Sequence, residues 1–180
     1  MEEIMKAIKD AFGENSEYIL KDQGMKSEIK HLTRLLENGS DPGNSRYAKE
    51  NVIKYAKENI MTKAKYLNEH MLTPATAKVG DGATIHLWSD AHACTIVKVT
   101  KSTVTVRRDK AIRDPDFKPE WVIGGFAAHC TNQEDQKWTY EKDPEGEKST
   151  FRWSRKYNSY GRPGFPTLTR GRHEYYDYNF

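Results

Sequence analysis

Only two cysteines, Cys94 and Cys130, occur among the 180 residues, and they form no CxxC pair. That argues against a disulfide framework or a cysteine-rich zinc module, and leaves packing as reduced thiols as the default. Long hydrophobic runs are missing as well. The longest nearly apolar stretch, WVIGGFAA from Trp121 to Ala128, is far too short to span a bilayer, so no membrane crossing is expected. The opening residues MEEIMKAIKD mix acids and bases and lack the apolar core and small-residue cleavage site of a secretory signal, which points to a cytoplasmic protein. A large charge of either sign is also absent. The chain carries only +3, so it is not an acidic imitation of a phosphate backbone, and its net charge says nothing about nucleic acid. Several catalytic signatures are missing: there is no GxGxxG after a strand, no GxxxxGK[ST], no GxSxG and no HExxH. No cofactor is expected.

What is present is unevenly placed. Residues 1–80 hold 13 basic and 12 acidic side chains and residues 81–180 hold 16 and 14. The stretch 148–173, KSTFRWSRKYNSYGRPGFPTLTRGRH, nevertheless contains Lys148, Arg152, Arg155, Lys156, Arg162, Arg170 and Arg172 without one acid. Phe151, Trp153, Tyr157, Tyr160 and Phe165 are interleaved with them. Flat aromatic faces stack on bases while guanidinium and ammonium groups neutralise phosphates, and that combination suits RNA or single-stranded DNA. The nucleic-acid-binding candidates are therefore Lys148, Arg152, Trp153, Arg155, Lys156, Tyr157, Tyr160, Arg162, Arg170 and Arg172. Two competing readings use the same residues: Phe151 and Trp153 as core with the cations solvating a loop, or the cations meeting an acidic protein surface.

The chain changes period near its middle. In residues 1–72 apolar side chains recur at helical spacing: Ile4, Ile8 and Phe12; then Met25, Ile29, Leu32 and Leu36. Ser16 is expected to cap a short turn ending at Gly24. GSDPGNS, Gly39 to Ser45, reads as a turn before the longest helix, about Ser45 to Met71, with Ala48, Val52, Ala56, Ile60, Ala64, Leu67 and Met71 on one stripe. From Val79 onward the period is two, and 15 of the 20 aromatic residues lie beyond residue 80. Strands are expected at 83–88, 94–100 and 103–108, with Val97 and Val99 facing Val104 and Val106. A second hairpin is expected to join Trp138 and Tyr140 to Phe151 and Trp153 through the DPEG turn, Asp143 to Gly146. HEYYDYNF is expected as a last strand, and Gly124-Gly125 as a bend or bulge. The fold class is therefore α+β, with a helical region over 1–72 and a β-rich domain over 79–180.

Candidate chemistry centres on four histidines, His86, His92, His129 and His173. His92, Cys94, His129 and Cys130 invite a metal, but their spacing matches no zinc motif, and adjacent His129 and Cys130 would point to opposite faces of a strand. No metal site is assigned. His173 and Glu174, beside Arg170 and Arg172, form the best local catalytic candidate. A base and an acid acting on a ribose 2′-hydroxyl, with arginine stabilising the phosphorane, suffice for metal-independent RNA cleavage.

Two resemblances add context. The start VGDGATIHLWSDAHACTIVKV resembles SH3-like and Tudor-like barrels, where a VGD entry leads into a strand, and implies an antiparallel, SH3-like β-barrel. Together with VTVRRDKAIRDPDFKPEWVIGGFAAHCTNQEDQ and GRHEYYDYNF, the same block resembles a family of small proteins carried by phages and other mobile elements of Gram-positive bacteria. That family brings no established activity with it. By analogy the resemblance implies an anti-defence protein in a bacterial host cell, an anti-CRISPR inhibitor of a Cas9-type effector acting through guide RNA, DNA or an effector surface. The alternatives are a non-catalytic nucleic-acid-binding accessory protein and a ribonuclease trimming guide RNA.

Overall fold

A computed structural model describes residues 2–37, 46–124 and 127–179, with side chains at 46–50, 52 and 127 excepted. The turn at Gly39–Ser45, Gly125, the stripe positions Ala48 and Val52, and Phe180 fall outside the described residues or side chains. The chain divides into two compact units, Met1–Met71 and Leu72–Phe180.

The first unit is helical: α1 (Glu2–Phe12), α2 (Ser16–Lys21), α3 (Gln23–Glu37) and α4 (Arg46–His70). Its core is Ile4, Ile8, Ile19, Met25, Leu32, Ile60 and Ala64, with Phe12, Ile29, Ala56 and Leu67 packed against it. Each member is the inward edge of a helical stripe whose other residues are Lys, Glu and Asn, and burial of that stripe holds the helices together. Two details differ from the sequence reading. Gly24 lies inside α3, and Asp22 starts that helix, its carboxylate accepting the Met25 N–H at 2.9 Å. Ser16 is buried and does not cap: the residue before α2 is Asn15, with no side-chain cap bond, and its amide instead donates to Asn68 Oδ1 at 2.8 Å. No helix among the described residues is long and apolar enough to cross a membrane.

The second unit contains β1 (Gly82–His86), β2 (Ala91–Val99), β3 (Thr103–Arg108), β4 (Lys110–Arg113), β5 (Trp121–Gly124), β6 (Ala127–Cys130), β7 (Trp138–Glu141), β8 (Lys148–Ser154), β9 (Ser159–Gly161) and β10 (Thr167–Arg170). Six of them close an antiparallel barrel in the order β1-β10-β9-β8-β3-β2, and β4–β7 and β5–β6 form separate two-stranded ribbons. The α+β expectation of helices followed by an antiparallel barrel is therefore met. Leu72, Ala83, Cys94, Ile96, Val104, Val106, Tyr160 and Leu168 fill the barrel, with Phe151 and Trp153 against them.

Three strand expectations need correction. A bulge in β2 between Ile96 and Lys98 removes Val97 from the ladder, so Ile96 faces Val106 and only Val99 keeps its expected partner, Val104. The DPEG segment does turn, with Gly146 N–H bonded to Asp143 O at 3.2 Å, but it does not join a hairpin. β7 pairs with β4, and β8 pairs with β3 and β9. Gly146 shows why: a Cβ there would sit 2.1 Å from the Arg108 carbonyl oxygen, so the chain passes directly onto the end of β3 and continues along it. Finally, the described residues of HEYYDYNF, 173–179, make no strand, only the bridge of Tyr175 to Ala91. Side chains supply its other bonds. Gln136 takes the Tyr176 carbonyl and N–H, Gln133 the Tyr178 N–H, Asp90 the Asp177 N–H, and Asn179 both the N–H and the carbonyl of Cys130.

Candidate nucleic-acid interface

Alternation along β8 sorts the basic aromatic segment into two classes. Phe151 and Trp153 point into the barrel, Trp153 edge-on to Tyr160 with ring centroids 5.1 Å apart. Tyr160 is 0% exposed and is core, so it offers no stacking face, and Trp153, half-buried, packs on it. Burial of large aromatic rings is what closes a small barrel, and it takes precedence over ligand stacking. Lys148, Thr150 and Arg152 occupy the opposite, outer face.

The loops at the two ends of β9 carry the remaining exposed groups. At one end are Arg155, Lys156 and Tyr157, the turn being completed by Asn158 in the left-handed conformation, φ 51°. At the other end are Arg162, Pro163, Gly164 and Phe165. This second loop is tight: Gly161 has φ +95°, and a Cβ there would meet the Pro166 carbonyl oxygen at 2.3 Å. Tyr157 is 42% and Phe165 55% exposed. Each lies beneath a cation, with Lys156 Nζ 5.2 Å from the Tyr157 centroid and the Arg162 guanidinium 3.6 Å from that of Phe165. β9 is three residues long, so the two loops are separated by roughly 10 Å of strand.

Not every cation of the segment is available. Arg172 donates from Nε to Asp109 Oδ2 at 2.6 Å and from Nη2 to Thr95 Oγ1 at 2.7 Å, and Thr95 in turn donates to Asp109 Oδ1 at 2.7 Å. Both Thr95 and Asp109 are buried, so Arg172 is a lock on the barrel and has no charge to spare for a ligand. By contrast Lys148, Arg152, Arg155, Lys156 and Arg162 are exposed and enter no ion pair among the described residues. Arg170 is exposed at the end of β10.

Of the expected His173–Glu174 pair, Glu174 is engaged by other residues and His173 lies on the surface. Glu174 is 7% exposed and receives Arg108 through both oxygens, Nη1 to Oε2 at 2.6 Å and Nη2 to Oε1 at 2.5 Å. Its Oε2 also accepts the Ala93 N–H at 2.8 Å, and His92 Nδ1 lies 3.3 Å from Oε1. Burial pushes the Glu174 carboxyl up. The Arg108 hydrogen bonds, the Ala93 N–H and the charges of Arg108 and His92 outweigh it and hold the group below the usual carboxylate range. A carboxylate held ionised and saturated with donors is a structural anchor and a poor proton carrier. His173 is exposed and stacks on Tyr175, centroids 6.4 Å apart. Burial, and to a lesser extent the neighbouring His173, lowers the pKa of His86, whose Nε2 bonds Thr169 Oγ1 at 2.8 Å.

The cysteines and remaining histidines do not gather either. Cys94 and Cys130 are free and buried, and burial pushes the Cys94 thiol up to about 12 against the pull of Arg108. No group of three or more metal-ligating side chains converges among the described residues.

Two features escaped the sequence reading. Opposite Lys148 and Arg152 on the outer sheet face stand Arg107 and Thr103, and Lys98 faces Thr105 from β2. The alternation Thr-Val-Thr-Val-Arg of β3 was the available signal. The second feature is the β5–β6 ribbon, on which Trp121, Val122 and Ile123 are exposed, Ile123 by 93%.

Fold and surface together define a helical unit followed by a small closed barrel with a cationic, loop-rich flank. No protein-family model, curated protein or solved structure matches the chain.

Proposed function

We propose that this protein binds nucleic acid without catalysis, its barrel taking exposed RNA or single-stranded DNA on the loops that flank β9. The observation that carries this reading is the set of exposed, carboxylate-free cations Arg155, Lys156 and Arg162 with accessible rings beside them, Tyr157 and Phe165. Phosphates are neutralised by the cations, and a base replaces or joins the cation already lying on each ring. In the setting that the resemblance implies, an anti-CRISPR protein of a mobile element inside a bacterial cell, the ligand is guide RNA or the displaced strand of a Cas9-type effector. A guide-trimming ribonuclease has less support, because Glu174 is committed to Arg108.

The test is a labelled single-stranded RNA titrated with wild type and with the R155E/K156E/R162E variant. Wild type is expected to shift the RNA and leave it intact, and the variant to bind at least about tenfold more weakly with a flatter salt dependence. Cleavage by wild type that is lost in His173→Ala would restore the ribonuclease. Unchanged RNA binding by the variant overturns the loop site. If inhibition of an effector persists in that variant and is lost on Ile123→Asp, the contact is to protein, through the apolar β5–β6 ribbon.

A further inference from the structure

The outer face of β3 and β8 is built of cations and hydroxyls. Cross-strand register places Thr103 opposite Arg152, Thr105 opposite Thr150, and Arg107 opposite Lys148. The Thr105 and Thr150 hydroxyls lie 2.9 Å apart, which fixes them on one face, while Val104, Val106 and Phe151 go to the core. Lys98 extends the hydroxyl row onto β2. The seven side chains are four cations and three hydroxyls, with no carboxylate and no ring among them. Lys98, Lys148 and Arg152 enter no ion pair among the described residues, and Arg107 donates only to a carbonyl oxygen, that of Pro144, so its charge is not neutralised.

Spacing adds a second constraint. From position 103 to 107 on β3, and from 152 to 148 on β8, the strand advances about 13 Å. Arg152 thus stands with Thr103 at one end of the face, Arg107 and Lys148 at the other, and the row Lys98, Thr105 and Thr150 lies between. A B-form major groove is about 12 Å wide, with a phosphate chain on either side. Hydroxyls and cations are the groups that contact phosphate and sugar, whereas single-strand binding draws on aromatic stacking, which this face cannot offer.

We infer that this face is a duplex site, taking the two phosphate backbones of double-stranded DNA across a groove, independent of base sequence and separate from the loops at β9. The inference rests on the nucleic-acid reading above and adds a second ligand class to it. β8 runs directly from this face into the Arg155–Tyr157 loop, so the two surfaces adjoin along one strand.

The deciding measurement is binding of a blunt 20-base-pair DNA of mixed sequence, and of single-stranded RNA, by wild type, K98A/K148A/R152A and T105V/T150V, each checked for native tryptophan fluorescence. Wild type is expected to bind the blunt duplex. The triple variant should lower the slope of log affinity against log salt by about three, with little loss on single-stranded RNA. The valine pair, which keeps all charges and β-branching, should weaken duplex binding roughly 3- to 10-fold with the salt slope unchanged. Failure to bind blunt duplex while RNA still binds overturns the inference and leaves the loop reading standing. Failure on both ligands overturns both. Duplex binding that falls more in R155E/K156E/R162E than in the triple alanine variant also overturns it, since the duplex would then lie on the loops.

Discussion

In the helical unit the buried residues Ile4 and Ile8, or Ile60 and Ala64, stand four positions apart on one helix. In the barrel unit the main charged locks, Arg108 to Glu174 and Arg172 to Asp109, join residues 66 and 63 positions apart. The helices of the first unit are patterned within short segments, although its core still joins residues as distant as Ile4 and Ala64. The second depends on pairings that exist only after the chain has closed on itself, and loop closure must precede the gain they bring. The barrel should therefore be more sensitive to single changes at its long-range contacts than the helices are at their caps. All four tryptophans lie beyond residue 80, so fluorescence reports the second unit, while the helical signal at 222 nm reports mainly the first.

The largest effect is expected from Glu174→Ala. It leaves Arg108 with an unpaired, partly buried charge and should cost the fluorescence transition about 3 kcal/mol or more in a denaturant titration. The same pair predicts an acid limb. Because the folded-state pKa of Glu174 is lowered, its contribution is complete above the unfolded carboxyl value of about 4.3 and is lost as pH falls through the lower folded value. Glu174→Gln should flatten that limb, and an unchanged limb would mean other carboxylates set the acid stability.

A smaller loss, about 1–3 kcal/mol, is expected from Gly161→Ala, where a positive φ and a 2.3 Å approach to the Pro166 carbonyl both oppose a side chain. It should be read by fluorescence. A neutral result would show that the β9–β10 loop relaxes freely, and that its shape is not held by the barrel.

The smallest effect belongs to the helical unit. Asp22→Ala removes the cap on the Met25 N–H and should lower the 222 nm transition by about 1 kcal/mol. A loss here as large as that of Glu174→Ala would break the contrast between the two units.

The parts of this fold that the sequence made legible are those whose signal repeats locally. The stripe through Ile60, Ala64 and Leu67 is visible at helical spacing, and alternation puts Phe151 and Trp153 on one face of β8 and Arg152 on the other, although it does not say that the ring face is the inward one. The candidate surface was legible as a charge concentration. Its membership was not: Tyr160 and Arg172 belong to the sequence pattern and were drawn into the core and into a buried pair. Nothing in the segment marks them: the Asp109 that holds Arg172 lies far away in the sequence, and the face of β9 that turns inward is set only when β8 and β10 close the barrel around Tyr160.

The sequence by itself determined the division into a helical and an antiparallel part, the turn at Asp143–Gly146, the extent of β3 and the cationic character of β8 and its loops, since each depends on residues within a few positions of one another. Only the tertiary structure decided that β7 leaves β8 for β4, that β8 completes a barrel beside β3, and that Glu174 is buried against Arg108. Register between distant strands is a competition among many possible pairings. The winner is the one that closes the barrel around Tyr160, Val104 and Ile96 while leaving Glu174 and Asp109 fully paired, and no local pattern carries that comparison.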